Sequence, residues 1–377
     1  MIYCHKCLQP DTRPNSKFTA DGLCPACSYH NQLNDVDWSE RSTYLNSIVK
    51  FGKANQSNGY DCIIGVSGGK DSTRQAIFVK EVLGMNPLLV CLAPPPVMAT
   101  QLGVDNLRNL VAKGFDCIKI EPSVTVWKKL MRYSFFKYQN PFKSTELALF
   151  SSVPSFAIRY QIPLIWWGEN SALQLGETGI MGTDGADGNS LRNMNTLSGG
   201  DYTWLIDAGL NEREIQQYKY PSKEHIERAN IKITFLGYFW KDWSMLNNAE
   251  FSMLHGLDIR NEKPQNIGEH YGITALDEHY TPFNQMIKYL KYGFGRTTDY
   301  VNEDIRNGII TRQEGIKIVE EYDGCCSLKY IKHFCDFVGI DLDKFWEVIE
   351  QSALNKRLFE KDGRGLYLRK FKVGTGL

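Results

Sequence analysis

At 377 residues the chain is too long for one small core, so two globular units, or one large unit with an appendage, are expected. Hydrophobic residues make up 42% and charged residues 23%, the balance of an ordinary soluble protein, and Lys plus Arg equals Asp plus Glu at 43 each. A net charge of zero argues against a protein that wraps nucleic acid, and no segment approaches the roughly 20 apolar residues of a membrane span. Met1-Ile2-Tyr3-Cys4-His5-Lys6 has no apolar stretch after its charge and does not read as a signal peptide. A cytoplasmic protein is therefore expected, its cysteines thiols or metal ligands rather than disulfides.

The chain opens on a Cys-rich head, residues 1–35. Cys4-x-x-Cys7 and Cys24-x-x-Cys27, with 16 residues between the pairs, present four thiolates at the spacing of a tetrahedral zinc site. Four sulfurs leave no open position, so structural Zn2+ is expected, with redox CxxC pairs or an iron–sulfur cluster as alternatives. His5 and His30 are not counted as ligands. So short a segment cannot build its own core, and metal binding is expected to supply its folding energy. A polar connector at 36–59 follows, helical from about Trp38 to Lys53.

From Tyr60 strands alternate with helices, and residues 60–240 are taken as one α/β domain. Asp61–Val66 reads as a buried strand, followed by a helix from about Ser72 to Leu83. Leu88–Leu92 is a second strand, Val104–Lys113 a helix and Cys117–Ile120 a third strand. Two helices fit between Val124 and Tyr160, and Pro163–Trp167 is a fourth strand. The pattern implies a doubly wound parallel sheet with its ligand above the carboxyl ends of the strands. Gly176–Gly200 holds seven glycines and reads as a long loop, either a lid or clamp or a mobile insertion. Beyond Tyr202 the chain reads as mostly helical, and 241–377 is taken as a C-terminal domain for substrate or partner binding. Thr311-x-x-Glu314 is a capping box opening a helix, and Asp341 caps the next.

The strand ending at Val66 runs into Ser67-Gly68-Gly69-Lys70-Asp71-Ser72, where a helix begins. Glycines let backbone N–H groups approach an oxyanion, and the helix N-terminus adds partial positive charge. Ser67 and Ser72 can donate to phosphate oxygens, Lys70 can neutralise charge, and Asp71 is placed to hold Mg2+. A Walker A loop is excluded, because Ile64 and Asp71 stand where it needs Gly and Ser or Thr. The hexapeptide resembles the PP-loop of ATP pyrophosphatases, which cleave ATP between the α- and β-phosphates and transfer AMP to a substrate oxygen. Gly168-Glu169-Asn170 after the fourth strand resembles the short Gly-x-Asn turn of the same proteins. The resemblance implies ATP and Mg2+ at Ser67–Ser72 and Gly168–Asn170, with Lys70, Asp71 and Ser72 as catalytic residues.

Over most of its length the chain resembles the bacterial N-acetyl sugar amidotransferases. The resemblance rests on the paired CxxC head, the Trp38-containing connector, Val66–Ser72, Trp167–Asn170, Tyr289–Asp299, Asp304-Ile-Arg306, Thr311–Glu314 and Glu321–Gly324, in that order. It implies an enzyme that converts an N-acetyl sugar to an acetamidino sugar for O-antigen, lipopolysaccharide or flagellin glycans, the last built on pseudaminic or legionaminic acid. It also implies ammonia from a separate glutaminase similar to that of imidazole glycerol phosphate synthase, with a cyclase-like companion. No cysteine follows the initiator Met or lies in a nucleophile elbow, so the chain is expected to make no ammonia itself. Acceptor sugars of such pathways often carry a carboxylate, and Lys291, Arg296 and Arg306 are candidates to bind it, against a reading as ordinary surface charges. Two rivals compete: a tRNA-thiolating PP-loop enzyme, which calls for a basic face and reactive cysteines, and an ATP-binding scaffold without catalysis. Cys62, Cys91 and Cys117 read as small residues of apolar strands, and Cys325-Cys326 as an incidental pair.

Overall fold

The computed structural model describes residues 1–177, 187–194 and 197–377. Five parallel strands form the central sheet: β1 (Cys62–Gly65), β2 (Pro87–Leu92), β3 (Asp116–Ile120), β4 (Leu164–Trp167) and β5 (Lys232–Phe235), in the order β3-β2-β1-β4-β5. The chain winds outward from β1 in one direction, then returns to β4 and winds the other way. The order therefore reverses between β1 and β4, where their adjacent carboxyl ends open a crevice. A small antiparallel hairpin, β6 (Phe359–Lys361) and β7 (Tyr367–Arg369), lies near the C-terminus.

Strand periodicity sorts the side chains onto two faces. Ile63, Leu88, Val90 and Ile165 share one core with Trp127, Leu130, Leu147 and Val153 of the helices Val124–Tyr138 and Lys143–Tyr160. Cys62, Ile64, Leu89 and Trp166 face the other way, onto Leu45, Ile48 and Val49 of the helix Trp38–Asn55 and onto Ala76 and Ile77. Asp37 caps that helix, accepting from the backbone N–H groups of Ser39 and Glu40. The connector is thus a layer of the α/β sandwich.

The four strands and their helices lie where the sequence places them, to within a few residues. The capping box of Thr311 and Glu314 and the Asp341 cap are both formed. The region after Tyr202 is mostly helical as expected, and it adds three short strands: β5, which completes the sheet, then β6 and β7. Four residues of β5, three of them buried, are too few to show a period against a polar surround. The head packs against the rest of the chain. Tyr3 and Leu8 belong to the main core, and the Leu8 N–H donates to Asn302 Oδ1 at 2.7 Å. Much of the Gly-rich reading at Gly176–Gly200 falls outside the described residues. Within them, Asp187 bridges to Thr234, and Gly188 lies so close to β5 that a Cβ would come 2.5 Å from Ile233 Cγ2.

Candidate functional site

Ser67–Ser72 leaves β1 at the carboxyl edge of the sheet and turns into the helix Lys70–Ile77, with Gly69 as N-cap. Gly68 has φ +77, and a Cβ there would come 2.9 Å from the Gly103 carbonyl oxygen and 3.0 Å from the Leu107 nitrogen. Both the left-handed backbone and the lack of room require glycine. The helix is continued by one π-turn, Phe78–Val82. Across the crevice, Gly168–Asn170 follows β4. The Asn170 side chain caps the next helix by accepting from Leu173 N–H at 3.0 Å, and it donates to the Gly237 carbonyl at 3.1 Å. Trp243 Nε1 donates to the Gly168 carbonyl at 2.9 Å, while a Cβ on Gly168 would meet Gln75 Oε1 at 2.9 Å. Both turns of the crevice are therefore fixed by their surroundings.

Lys70 Nζ donates to Asp71 Oδ2 at 2.7 Å, with the lysine side chain 6% and the carboxylate 31% exposed. Asp71 Oδ1 accepts from Asn248 Nδ2 at 2.7 Å, and Arg74 holds Asn248 Oδ1 and Asp242, each at 2.7 Å. Ser72 Oγ donates to the Gly69 carbonyl at 3.2 Å and Ser252 Oγ to the Lys70 carbonyl at 2.6 Å. A Cβ at Gly69 would lie 3.3 Å from Ser67 Oγ, so glycine leaves space above that hydroxyl. Burial disfavours the Lys70 charge, but Asp71 and Tyr300 outweigh it and raise the lysine pKa, so the ammonium is firmly protonated.

The helix Arg296–Arg306 brings further charge into this neighbourhood. Tyr300 and Arg296 act on Lys70, and Lys70 in turn acts on Glu303. Glu303 is 4% exposed; Oε1 accepts from the Met245 N–H, and Oε2 has no hydrogen-bond partner among the described residues. Glu169 Oε2 is likewise buried and unpartnered. Burial raises each of these carboxyls to about 7, with the Asp71 charge adding to the effect on Glu169. Tyr300, Glu303 and Asn248 escape sequence reasoning, because they meet the loop only through the fold.

The three candidate sugar-binding cations lie in three places. Arg296 is half-buried under the field of Tyr300, Asp299, Glu269 and Asp71, with its Nε unpartnered among the described residues. Arg306 is buried beside the head: Nη2 donates to the Leu173 carbonyl at 2.9 Å, and Cys7, Cys27 and Cys24 act on it. Lys291 Nζ donates to the carbonyls of Tyr138 and Gln139 at 2.7 and 3.1 Å, at the C-terminal end of the helix Val124–Tyr138, and lines a separate cleft. None is an ordinary surface charge, and the three do not converge on one ligand.

In the head, the sulfurs of Cys4, Cys7, Cys24 and Cys27 are buried and lie within 4.8 Å of one another, Cys7 and Cys24 at 3.7 Å. Four thiolates about 2.3 Å from a tetrahedral ion stand roughly 3.8 Å apart, so the group is sized for a single metal ion. Backbone N–H groups of Gln9 and Cys24 donate to the sulfurs of Cys7 and Cys4 at 3.4 and 3.2 Å, orienting two ligands. His5 bonds to the Asp21 carbonyl instead.

With the geometry in place, comparison with known proteins adds one firm point. Residues 268–372 match the family model described as the C-terminal domain of LPS biosynthesis protein WbpG-like proteins. The C-terminal region is thus similar to a WbpG-like domain, and it follows the α/β fold that carries Ser67–Ser72. The WbpG-like domain contains Lys291, Arg296, Tyr300, Glu303 and Arg306, so its helix Arg296–Arg306 meets both the PP-loop and the head. No curated protein matches the chain. Among solved structures, an NH3-dependent NAD synthetase from Campylobacter jejuni subsp. jejuni NCTC 11168 overlaps 60% of this chain and 100% of its own, at 14% identity and TM-score 0.28. An NMN synthetase from Francisella tularensis overlaps 60% and 89%, at 15% identity and TM-score 0.29. A U34-tRNA thiolase, NcsA, from Methanococcus maripaludis with its [4Fe-4S] cluster overlaps 94% and 90%, at 12% identity and TM-score 0.30. These overlaps are too loose to carry a functional argument.

Proposed function

We propose that the chain is an ATP-dependent, AMP-forming amidotransferase that converts the acetamido group of an N-acetyl sugar to an acetamidino group. The observation behind this is the union of a complete PP-loop at the sheet's switch point with a WbpG-like domain that sets Tyr300 and Glu303 within electrostatic reach of Lys70. Ser67, Gly68, Gly69 and Ser72 position the phosphates, and Lys70 meets the charge that develops on departing pyrophosphate. Gly168, Glu169 and Asn170 flank the nucleotide from β4. Asp71 would hold Mg2+, which when bound neutralises phosphate charge, and the four head cysteines would hold Zn2+.

The acetamido oxygen attacks the α-phosphorus as the bond to the bridging oxygen breaks, and pyrophosphate leaves with the electron pair. Ammonia adds to the resulting imidate carbon and loses a proton, AMP departs, and C=O has become C=NH. A separate glutaminase, with a cyclase-like companion, supplies the ammonia. A tRNA-thiolating enzyme needs a reactive thiolate, whereas burial pushes Cys91 and Cys117 up to about 12 and about 11 and raises Cys62 as well.

Mass spectrometry of products tests the proposal. The protein is given ATP, Mg2+, ammonium and a panel of acetamido sugars, free and nucleotide-linked. AMP, pyrophosphate and a sugar in which NH replaces O are expected. AMP formed only with tRNA present would transfer the chain to the thiolation reading. No AMP with any sugar, even with a glutaminase partner supplied, would overturn the proposal in favour of a scaffold.

A further inference from the structure

A cleft of about 630 Å³ opens where three parts of the chain meet. Tyr138, Lys143 and Phe150 come from the α/β domain, Lys288 and Lys291 from the WbpG-like domain, and Arg13 from the metal head. Phe150 packs 5.4 Å from Trp167, the last residue of β4, so the cleft abuts the carboxyl edge of the sheet beside Gly168–Asn170. Its volume suits a sugar or sugar nucleotide rather than a water or a lone ion.

The cationic groups are held in place. Asp299 lies behind the wall with a side chain 2% exposed, taking Arg13 Nη2 and Lys288 Nζ, the latter at 2.7 Å. Arg13 Nε also donates to Gln9 Oε1 at 2.8 Å. The Arg13 and Lys288 heads sit over the Phe294 ring at 4.5 and 4.6 Å, and Lys143 lies 5.3 Å from the centre of Tyr138. Lys291 spends two N–H donors on backbone carbonyls, which leaves its third for a ligand. Glu146 and Glu177 also line the cleft, so among the described residues four cationic side chains face two acidic ones. Asp299 is shared among Arg13, Lys288 and Arg296, and one carboxylate cannot balance three cations. Burial pushes Lys288 and Lys291 down to about 8, with the Arg13 and Arg296 charges adding to the effect on Lys288.

We propose that this cleft, walled in part by the metal head, is an anion site that takes an acidic acetamido sugar. The sugar's carboxylate or phosphate is held by Arg13, Lys143, Lys288 and Lys291, and its ring lies against Tyr138 and Phe150. Calling this ligand the acceptor rests on the amidotransferase reading; the anion site itself does not. The head is then more than a structural staple, because it supplies one of the anchoring guanidiniums.

The test is calorimetric titration of the full chain with UDP-N-acetylglucosamine, N-acetylneuraminate and neutral N-acetylglucosamine. At least one acidic probe should bind saturably, and which one does distinguishes diphosphate from carboxylate recognition. Lys143→Gln, Lys288→Gln and Arg13→Gln should each weaken that binding by about tenfold or more, while ATP binding stays unchanged. Lys143→Gln guards against misfolding, since it leaves the Asp299 cluster intact. The proposal is overturned if neither acidic probe binds, if neutral sugar binds as tightly, or if Lys143→Gln and Lys288→Gln both bind like wild type. If AMP formation persists under any of those outcomes, the amidotransferase reading stands without this cleft. Acidic sugar bound in the cleft with no AMP under any condition gives the reverse.

Discussion

Two buried ion clusters, one on each side of the site, are built to opposite ends. At the PP-loop, Lys70 pairs with the next residue, Asp71, whose carboxylate remains 31% exposed. One charge answers one charge at the mouth of a crevice, and an incoming phosphate or cation can exchange with either partner. Below the cleft, burial opposes the Asp299 charge, but Lys288, Arg13 and Arg296 hold its carboxyl well below the usual range. That cluster draws on the head and on two helices of the WbpG-like domain, and its anion is closed to solvent. The first cluster is suited to chemistry and the second to holding three segments in register.

The sharpest way to break this contrast is to neutralise each anion or cation in turn. Asp299→Asn leaves three cations without their shared partner and should cost about 3–5 kcal/mol, seen as an early denaturant midpoint for the whole chain. Lys70→Gln should leave the denaturant midpoint nearly unchanged yet lower AMP formation by about 10²–10³-fold, the loss typical for one transition-state donor. If Asp299→Asn folds like wild type, or Lys70→Gln unfolds early, the division of labour is wrong.

A third, pH-dependent effect concerns Glu303. Its carboxyl is raised to about 7 in the folded chain, against an ordinary value near 4.5. The folded state therefore holds that proton more tightly than the unfolded one. The stability it contributes is full below about pH 4.5 and lost as pH rises through about 7. Glu303→Gln removes the buried charge, so its melting temperature should match wild type in acid and exceed it above neutrality, by about 3 kcal/mol of stability. A melting difference that does not change with pH would show that the Glu303 carboxyl titrates alike in both states.

Local features of the molecule were legible and assembled ones were not. Ser67–Ser72, the CxxC pairs and the Thr311/Glu314 box are each closed within a few residues, so spacing reveals them. The first four strands announce themselves as short apolar runs, whereas β5 offers only Lys232–Phe235. The hardest element was the helix Arg296–Arg306. Its sequence, Arg-Thr-Thr-Asp-Tyr-Val-Asn-Glu-Asp-Ile-Arg, has no broad apolar stripe, yet Asp299, Asn302, Glu303, Asp304 and Arg306 are all buried. Polar residues survive there because partners surround the helix: Leu8 and Arg13 from the head, Lys70 from the α/β domain, Met245 from the helix Met245–Leu254, and Asp323 on the Gly295 and Thr298 N–H groups.

The bond from Leu8 to Asn302 spans 294 positions of sequence. On a ribosome the head emerges well before the helix that receives it. At typical rates of synthesis of about 5–20 residues per second, the gap lasts about 15–60 s. Through that interval Leu8 has no core to enter, while the four sulfurs, all within residues 4–27, can already close on an ion. An ion held there would keep this segment folded until the surface that receives it has been made.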